Sequence, residues 1–459
     1  MAAPTDSERL PFRTKLLYGI GDTGFSLTGT IIGAYFGIFL IDVVGLSPGM
    51  AAIAVLIGRV WDWVNDPLIG HISDRTRTRW GRRRPFLLMG FIPYGLAFAM
   101  LWWTPPWTNS AGLIAYYAVA YLLYEAAATF VYMPYFALTP ELTLDYDERT
   151  SLTSYRMFFS IFASLLAFTI PFMIIGAFRP ENHGRVWLMG SIFGVASALP
   201  LLLTFLGTRE RPEFQQQSQP ALRESIKAAL RNRPFLFAAG IFLLTWTTIE
   251  ILNALLLFFL KYWMDIEAQS DIVMATIFIV AIISLPAWSY ASQRWNKRRT
   301  YVIGVSFFAA VLIVLVLLQP GTPFWLLLTL AGLAGIGVGA AHVIPWAIIP
   351  DAIEWGELDT GQRHEGMFYS LITLMNKVAN SIAIPLVLSM LEWTGFVSNA
   401  AQQPQSALLG IRFMVGPLPA LLLCGGIAFA LLYPIDRERY QKVRQELQKR
   451  RLAKQGAVQ

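Results

Sequence analysis

The chain has 459 residues, 55% of them hydrophobic and only 14% charged, with a mean hydropathy of +0.51. A soluble protein carries closer to a quarter charged residues, so this composition excludes an ordinary string of soluble domains and places most of the chain in lipid. The net charge of +7 does not point to nucleic acid. The basic residues are spread over short loops and a tail, where they set topology and meet acidic headgroups.

A spanning helix needs roughly 20 mostly apolar residues. The first apolar stretch, from about Leu16 to Ile41, is too long for a cleavable signal peptide and lacks a small-residue cleavage site. It is read as helix one. Twelve spans are expected, near 14–42, 47–72, 84–104, 110–138, 153–178, 186–207, 235–263, 270–292, 300–318, 322–350, 366–392 and 410–433. The runs are continuously apolar rather than alternating, which excludes a membrane β-barrel. The single cysteine, Cys424, lies in an apolar run and has no partner for a disulfide within the chain.

The connections alternate in character. Arg and Lys crowd the N-terminus (Arg9, Arg13, Lys15), Ser73–Pro85, Thr208–Pro234, Gln293–Thr300 and the tail. They are nearly absent from Gly45–Met50, Thr104–Ser110, Gln319–Phe324 and Glu392–Gln405. The positive-inside rule puts both termini in the cytoplasm.

The chain also repeats itself. Arg79-Trp80-Gly81-Arg82-Arg83-Arg84 resembles Arg294-Trp295-Asn296-Lys297-Arg298-Arg299, offset by 215 residues (294 − 79). Met157-Phe158-Phe159-Ser160 resembles Met367-Phe368-Tyr369-Ser370, offset by 210 (367 − 157), and Pro140-Glu141 and Pro350-Asp351 share that spacing. Two related six-helix halves are therefore expected, 1–207 and 235–433, joined by a polar linker at 208–234 and followed by a basic tail at 434–459. Parallel six-helix halves holding substrate near mid-membrane are the architecture of the major facilitator superfamily.

Charge inside the bilayer costs roughly 3 kcal/mol or more on insertion scales and marks functional candidates. Asp62 and Asp66 are one turn apart and share a face of helix two, with Asn65 beside them and Pro67 following. Two carboxylates so close repel each other, and Na⁺ or H⁺ relieves that repulsion. An oxygen-rich nook of this kind suits a hard cation; the bland alternative is a set of interhelical salt bridges. Lys377, midway in helix eleven, needs an anionic partner, and the helix-two pair is the obvious one. A bound cation would then compete with Lys377, which is a coupling device.

Helix four carries Glu125, Thr129, Tyr132 and Phe136 on one stripe, either as ligands with a flat aromatic surface or as packing around one satisfied acid. Asp22 lies early in helix one, Glu250 midway along helix seven, and His342 in helix ten, where a packed histidine is the plainer reading. Arg156, expected to open helix five, is suited to a substrate oxygen or a carboxylate. The candidate substrate contacts are thus Asp22, Ser26, Glu125, Tyr132, Phe136, Arg156, Glu250, His342 and Thr373. In the loop after helix two, Gly70 is expected to allow close helix approach, and Asp74 to pair with nearby arginines and close a gate with Arg75, Gly81, Arg82 and Arg83. Glu141 and Arg149, and Asp351 at the matching position, are expected to form a latch between halves. No nucleotide motif, metal-ligand cluster or nucleophile–base constellation is present, so an enzyme is not expected, nor any cofactor beyond a coupling ion.

The loop Gly70…Asp74-Arg75…Gly81-Arg82-Arg83 resembles that of the major facilitator superfamily. Trp61-Asp62-Trp63-Val64-Asn65-Asp66-Pro67-Leu68-Ile69-Gly70 resembles, more narrowly, the glycoside–pentoside–hexuronide:cation symporters, typified by melibiose permease. Tyr18-Gly19-Ile20-Gly21-Asp22, Pro140-Glu141-Leu142 and Pro350-Asp351-Ala352-Ile353-Glu354 fit the same family. The resemblance implies a cation site at Asp62, Asn65, Asp66 and Thr129 with Lys377 close by, and substrate contact or gating by Arg156. It departs where the sugar is gripped: Ser26 and Tyr132 stand where that permease has carboxylates, and Phe136 replaces a tryptophan. The chain is also similar to the sodium-dependent lysophosphatidylcholine transporters, through Pro134-Tyr135, Ile344-Pro345-Trp346, Tyr433-Pro434-Ile435-Asp436 and Glu250. The first expectation is Na⁺- or H⁺-coupled symport of a sugar-like solute across the inner or plasma membrane, by a monomer. The second is a cation-coupled lysophospholipid transporter or flippase.

Overall fold

The computed structural model describes residues 10–60, 62–143, 146–210, 230–360, 365–400, 402–435, 439–443, 445–447 and 449. Its regular structure is helical: α1 (Phe12–Gly19), α2 (Gly21–Ile31), α3 (Pro48–Val60), α4 (Asp62–Arg75), α5 (Arg84–Leu101), α6 (Ser110–Leu142), α7 (Tyr146–Ile175) and α8 (His183–Gly207), then α9 (Arg233–Phe258), α10 (Ser270–Arg294), α11 (Lys297–Val316), α12 (Phe324–Thr360), α13 (Glu365–Trp393), α14 (Gln405–Val415) and α15 (Pro417–Leu432). Wide π-helical turns at Ile32–Phe36, Phe39–Val43 and Phe259–Trp263 extend α2 and α9.

Among the described residues, ten helices are long and apolar enough to cross a membrane, against twelve expected. The difference lies in the first two spans. The first is broken at Ile20 and widened by π turns. The second is described as apolar α3 and polar α4 on either side of residue 61, which lies outside the described residues; the Asp, Asn, His and Arg residues of α4 lower its hydropathy. Lipid-facing character is plain elsewhere: Ile283 and Leu206 are 70% and 66% exposed, a placement that water would penalise and acyl chains favour. Trp325 and Trp393 stand exposed at helix ends, the interfacial position such rings prefer. Cys424 is exposed on the same apolar kind of surface.

Two compact units emerge. One comprises residues 1–217, 266–271 and 384–407; the other 218–265, 272–383 and 408–459. Within the first, α5 and α8 cross at two glycines: a Cβ on Gly95 would lie 2.6 Å from the Gly194 carbonyl oxygen, and one on Gly194 2.5 Å from that of Gly95. Small residues are what let membrane helices approach this closely. Buried hydroxyls tie the same bundle, with Thr28 Oγ1 2.6 Å from Tyr94 OH and accepting from Tyr124 OH at 2.9 Å. The segments at 384–407 and 266–271 dock here too. Glu392 accepts from the Gly49 N–H at 2.8 Å, Asn399 Nδ2 donates to the Asp42 carbonyl at 2.8 Å, and Glu267 accepts from the Phe178 N–H at 3.1 Å.

The second unit repeats the device with Thr245 Oγ1 2.7 Å from Tyr301 OH, amid a core of Ile241, Val305, Phe308, Leu312 and Ile344. Asn232 caps α9, accepting from the Phe235 N–H at 3.0 Å and donating to the Ala352 carbonyl at 2.9 Å. At 37 residues, α12 is about 55 Å long, well beyond a bilayer core, and absorbs Pro345 and Pro350 within it. Among the described residues, helix occupies most of both stretches expected as charged loops, at 140–142 and 146–156 and at 350–360 and 365–366.

Candidate functional site

In the first unit the site is built on α2, α6 and α7. Asp22 opens α2 and is buried; the Arg156 guanidinium lies 3.9 Å from its carboxylate. Arg156 stands well inside α7 rather than at its start, because that helix begins at Tyr146. Its guanidinium covers the Phe136 ring at 4.4 Å, and Phe136 lies tilted against Tyr132 with centroids 4.1 Å apart. Phe25 bridges α2 to this pair, edge-on to Tyr132 at 5.2 Å and tilted against Phe136 at 6.3 Å. Ser26 Oγ lies 2.6 Å from Ser160 Oγ of α7. A cation held over an aromatic face beside one carboxylate is a platform that offers charge, hydrogen bonds and a flat apolar wall together.

The helix-four stripe therefore divides. Tyr132 and Phe136 join the Arg156 platform, whereas Thr129 is buried two turns before Phe136. Asn65, buried on α4, reaches the Ala126 carbonyl of α6 at 3.5 Å, one turn from Thr129. This brings two members of the expected cation set onto neighbouring turns. The side chains of Asp62, Asp66, Asp74 and Arg149 lie outside the described residues. Arg59, which sequence reasoning passes over, is buried three residues before Asp62 and donates to Tyr121 OH at 2.9 Å. A lone charge in an apolar run is the signal for it.

In the second unit, Glu250 of α9 faces α13. With its amide turned to donate, Asn380 reaches the two Glu250 oxygens at 3.1 and 2.9 Å and sets its own oxygen 3.0 Å from the Asn376 amide. Asn376 and Asn380, one turn apart around Lys377, are not among the sequence candidates; polar residues recurring at helical spacing in an apolar span are the available signal. Thr373 and Lys377 lie on the same helix. His342 gives Nδ1 to the Val338 carbonyl at 3.0 Å and packs on Trp246 at 5.0 Å, the plainer of the two readings for this residue.

The arginine-rich loop is organised differently from expectation. An added Cβ on Gly70 meets none of the described residues within 4 Å, and Arg75 is exposed. The close approach is at Gly81, which has φ +106 and would drive a Cβ into the Glu210 carboxylate. That carboxylate accepts from three successive backbone N–H groups, of Arg82 at 2.6 Å, Arg83 at 2.8 Å and Arg84 at 2.8 Å. It thereby caps α5 and satisfies its orphan donors. Nothing local marks Glu210 for this; only the fold returns the linker to the loop. Arg82 and Arg83 bind Glu141 at 2.7 and 3.1 Å, and in the other unit Lys297 binds Asp351 at 2.6 Å. Lys297 and Asp351 occupy the repeat positions of Arg82 and Glu141. Each of these pairs runs within one unit: Glu141 lies near the end of α6 and Asp351 well inside α12, each beside its own basic segment.

Gly81→Ala is expected to cost about 1–3 kcal/mol, the usual penalty for a side chain at such a backbone angle, plus the displacement of Glu210. Thermal unfolding in detergent measures this. A Tm equal to the parent's would remove Gly81 and Glu210 as a structural unit.

These features define a class, a polytopic helical membrane protein with ten candidate spans among the described residues. The sequence matches the MFS/sugar transport protein family over residues 17–437, and the chain belongs to that family. It is a transporter and not an enzyme. It is 33% identical to an uncharacterized symporter of Synechocystis sp., over 98% of this chain and 99% of that one. It is 28% identical to the sodium-dependent lysophosphatidylcholine symporter 1-A of Danio rerio, over 97% and 90%. Among solved structures it is similar to the nucleoside transporter NupG (TM-score 0.65, 14% identity, 93% of this chain and all of that one). The inward-open xylose transporter XylE of E. coli is comparable (TM-score 0.63, 14% identity, 92% and 96%). These two likenesses establish the fold.

Proposed function

We propose that this chain is a cation-coupled symporter that moves a hydroxyl-rich, sugar-like solute across the cell membrane by alternating access. In this reading it acts as a monomer with twelve spans in two halves, 1–207 and 235–433, linked by 208–234, and with both termini in the cytoplasm beside a basic tail at 434–459. Na⁺ or H⁺ binds at Asp62, Asn65, Asp66 and Thr129, and Lys377 is the charge it displaces. The observation that carries the substrate reading is the Arg156 platform. Asp22 and Arg156 offer an acceptor and a planar donor, Ser26 and Ser160 further hydrogen bonds, and Phe136 and Tyr132 a face for the apolar side of a sugar ring. Glu250, His342 and Thr373 supply the contribution of the other half. Gly70, Asp74, Arg75, Gly81, Arg82, Arg83, Glu141, Arg149 and Asp351 govern switching.

A second reading is a lysophospholipid substrate. It is supported by the lysophosphatidylcholine symporters among the relatives and by the same platform, since Arg156 suits a phosphate and the rings a quaternary ammonium. Uptake into proteoliposomes under an imposed Na⁺ or H⁺ gradient tests both. Gradient-driven accumulation of radiolabelled glycosides, pentoses or hexuronates is expected. Accumulation of lysophosphatidylcholine alone transfers the assignment to the second reading, and transport of any solute unaffected by both gradients overturns symport.

A further inference from the structure

In the second unit, away from Glu250 and His342, a cavity of about 430 Å³ lies where α9 begins and α15 ends. Its walls are of two kinds. Arg231 and Arg233 give two guanidinium groups, while Phe237, Trp355, Leu432 and Pro434 give an apolar side. Both arginines are exposed, and neither makes a hydrogen bond or ion pair with the described residues. By contrast, Arg82 and Arg83 are held by Glu141, and Lys297 by Asp351.

The position is a membrane boundary. Arg233 is the first residue of one apolar span and Leu432 the last of another. Asn232, between the arginines, donates to the Ala352 carbonyl, next to the Asp351 that holds Lys297. The cavity therefore sits at the end of the second unit where the basic segment 294–299 lies. Its apolar side continues onto a lipid-facing surface, with Leu432 66% and Leu431 51% exposed. The floor is firm: Phe237 packs on Phe429 with centroids 6.0 Å apart.

We propose that this cavity is a binding site for an anionic phospholipid of the adjoining leaflet, with the headgroup phosphate between Arg231 and Arg233 and the glycerol and proximal acyl carbons against Phe237, Trp355 and Leu432. Two adjacent guanidinium groups without a carboxylate among the described residues attract a phosphate diester. Basic pockets between helices at the cytoplasmic boundary are where anionic headgroups dock. The apolar half of the lining favours a lipid over free phosphate, which would leave it wetted.

The test uses the full-length protein in nanodiscs of phosphatidylcholine with rising phosphatidylglycerol, read by native mass spectrometry of retained lipid and by Tm. Phosphatidylglycerol is expected to be retained and to raise the Tm. In Arg231→Gln/Arg233→Gln the apparent affinity is expected to fall about 30-fold. The charge-matched pair Arg294→Gln/Arg299→Gln, both exposed where α10 ends and α11 begins, is expected to keep parental affinity. Trp355→Ala is expected to weaken retention without changing the salt dependence. Equal loss in both arginine pairs reduces the effect to general leaflet charge and overturns the site. So does unchanged retention in the first pair. Stabilisation of equal size by inorganic phosphate overturns the lipid assignment.

Discussion

Arg156→Ala is expected to reduce uptake by two orders of magnitude or more. The reason is local. Arg156 sits between a buried carboxylate, Asp22, and the face of Phe136. Removing it leaves Asp22 buried without its cation, a loss of about 3–5 kcal/mol for pairs of this kind, and removes the group best suited to hold a substrate oxygen. Arg156→Lys keeps the charge but not the planar fork that lies over the ring, and is expected to recover only a small part of the rate. A structural role and a transport role separate in the double variant Asp22→Asn/Arg156→Gln. Its Tm is expected to return toward the parent's, because neither charge is stranded, while uptake stays absent. Substantial uptake in that double variant would falsify the assignment of the platform to substrate.

Asp66→Asn is expected to abolish the dependence of uptake on the cation gradient while leaving the fold intact. Two carboxylates one helical turn apart repel each other in a low-dielectric setting, and the cation gains affinity by relieving that repulsion. Replacing one with an amide keeps an oxygen ligand and removes half of the charge, so cation affinity is expected to fall tenfold or more, about 1.4 kcal/mol. In the proposed site Asn65 and Thr129, both buried, are the uncharged ligands that the variant leaves unchanged. Binding of radiolabelled sodium and the gradient dependence of exchange give the readout, with Lys377→Ala as companion. Gradient-driven uptake of parental steepness in Asp66→Asn would remove the helix-two pair from coupling.

Much of the molecule is legible in the amino-acid sequence. Apolar runs of spanning length are a local property, as is the spacing of Asp62 and Asp66, because helix geometry alone puts residues four apart on one face. The repeat is equally a matter of sequence: offsets of 215 and 210 (294 − 79 and 367 − 157) relate Arg82 to Lys297 and Glu141 to Asp351. What the repeat does not state is which charges meet. Glu141 meets Arg82 and Arg83, and Asp351 meets Lys297, partners that the offsets alone do not name.

The same limit explains the other differences. Apolar length alone makes the first two spans look ordinary, but π turns and the polar content of α4 set them apart. Arg156 is expected at a helix start because charges usually end spans, and it stands inside α7, stabilised by a partner more than a hundred positions away in the chain. The pairing of Glu210 with three backbone N–H groups joins positions over 120 residues apart, and no periodicity encodes it. By itself, then, the sequence determined the lipid-embedded class and the one-turn spacing of Asp62 and Asp66, both consequences of composition and helical spacing. Only the tertiary structure decided the partners of the buried charges, because electrostatic pairing in a helical bundle is set by which helices pack side by side rather than by distance along the chain.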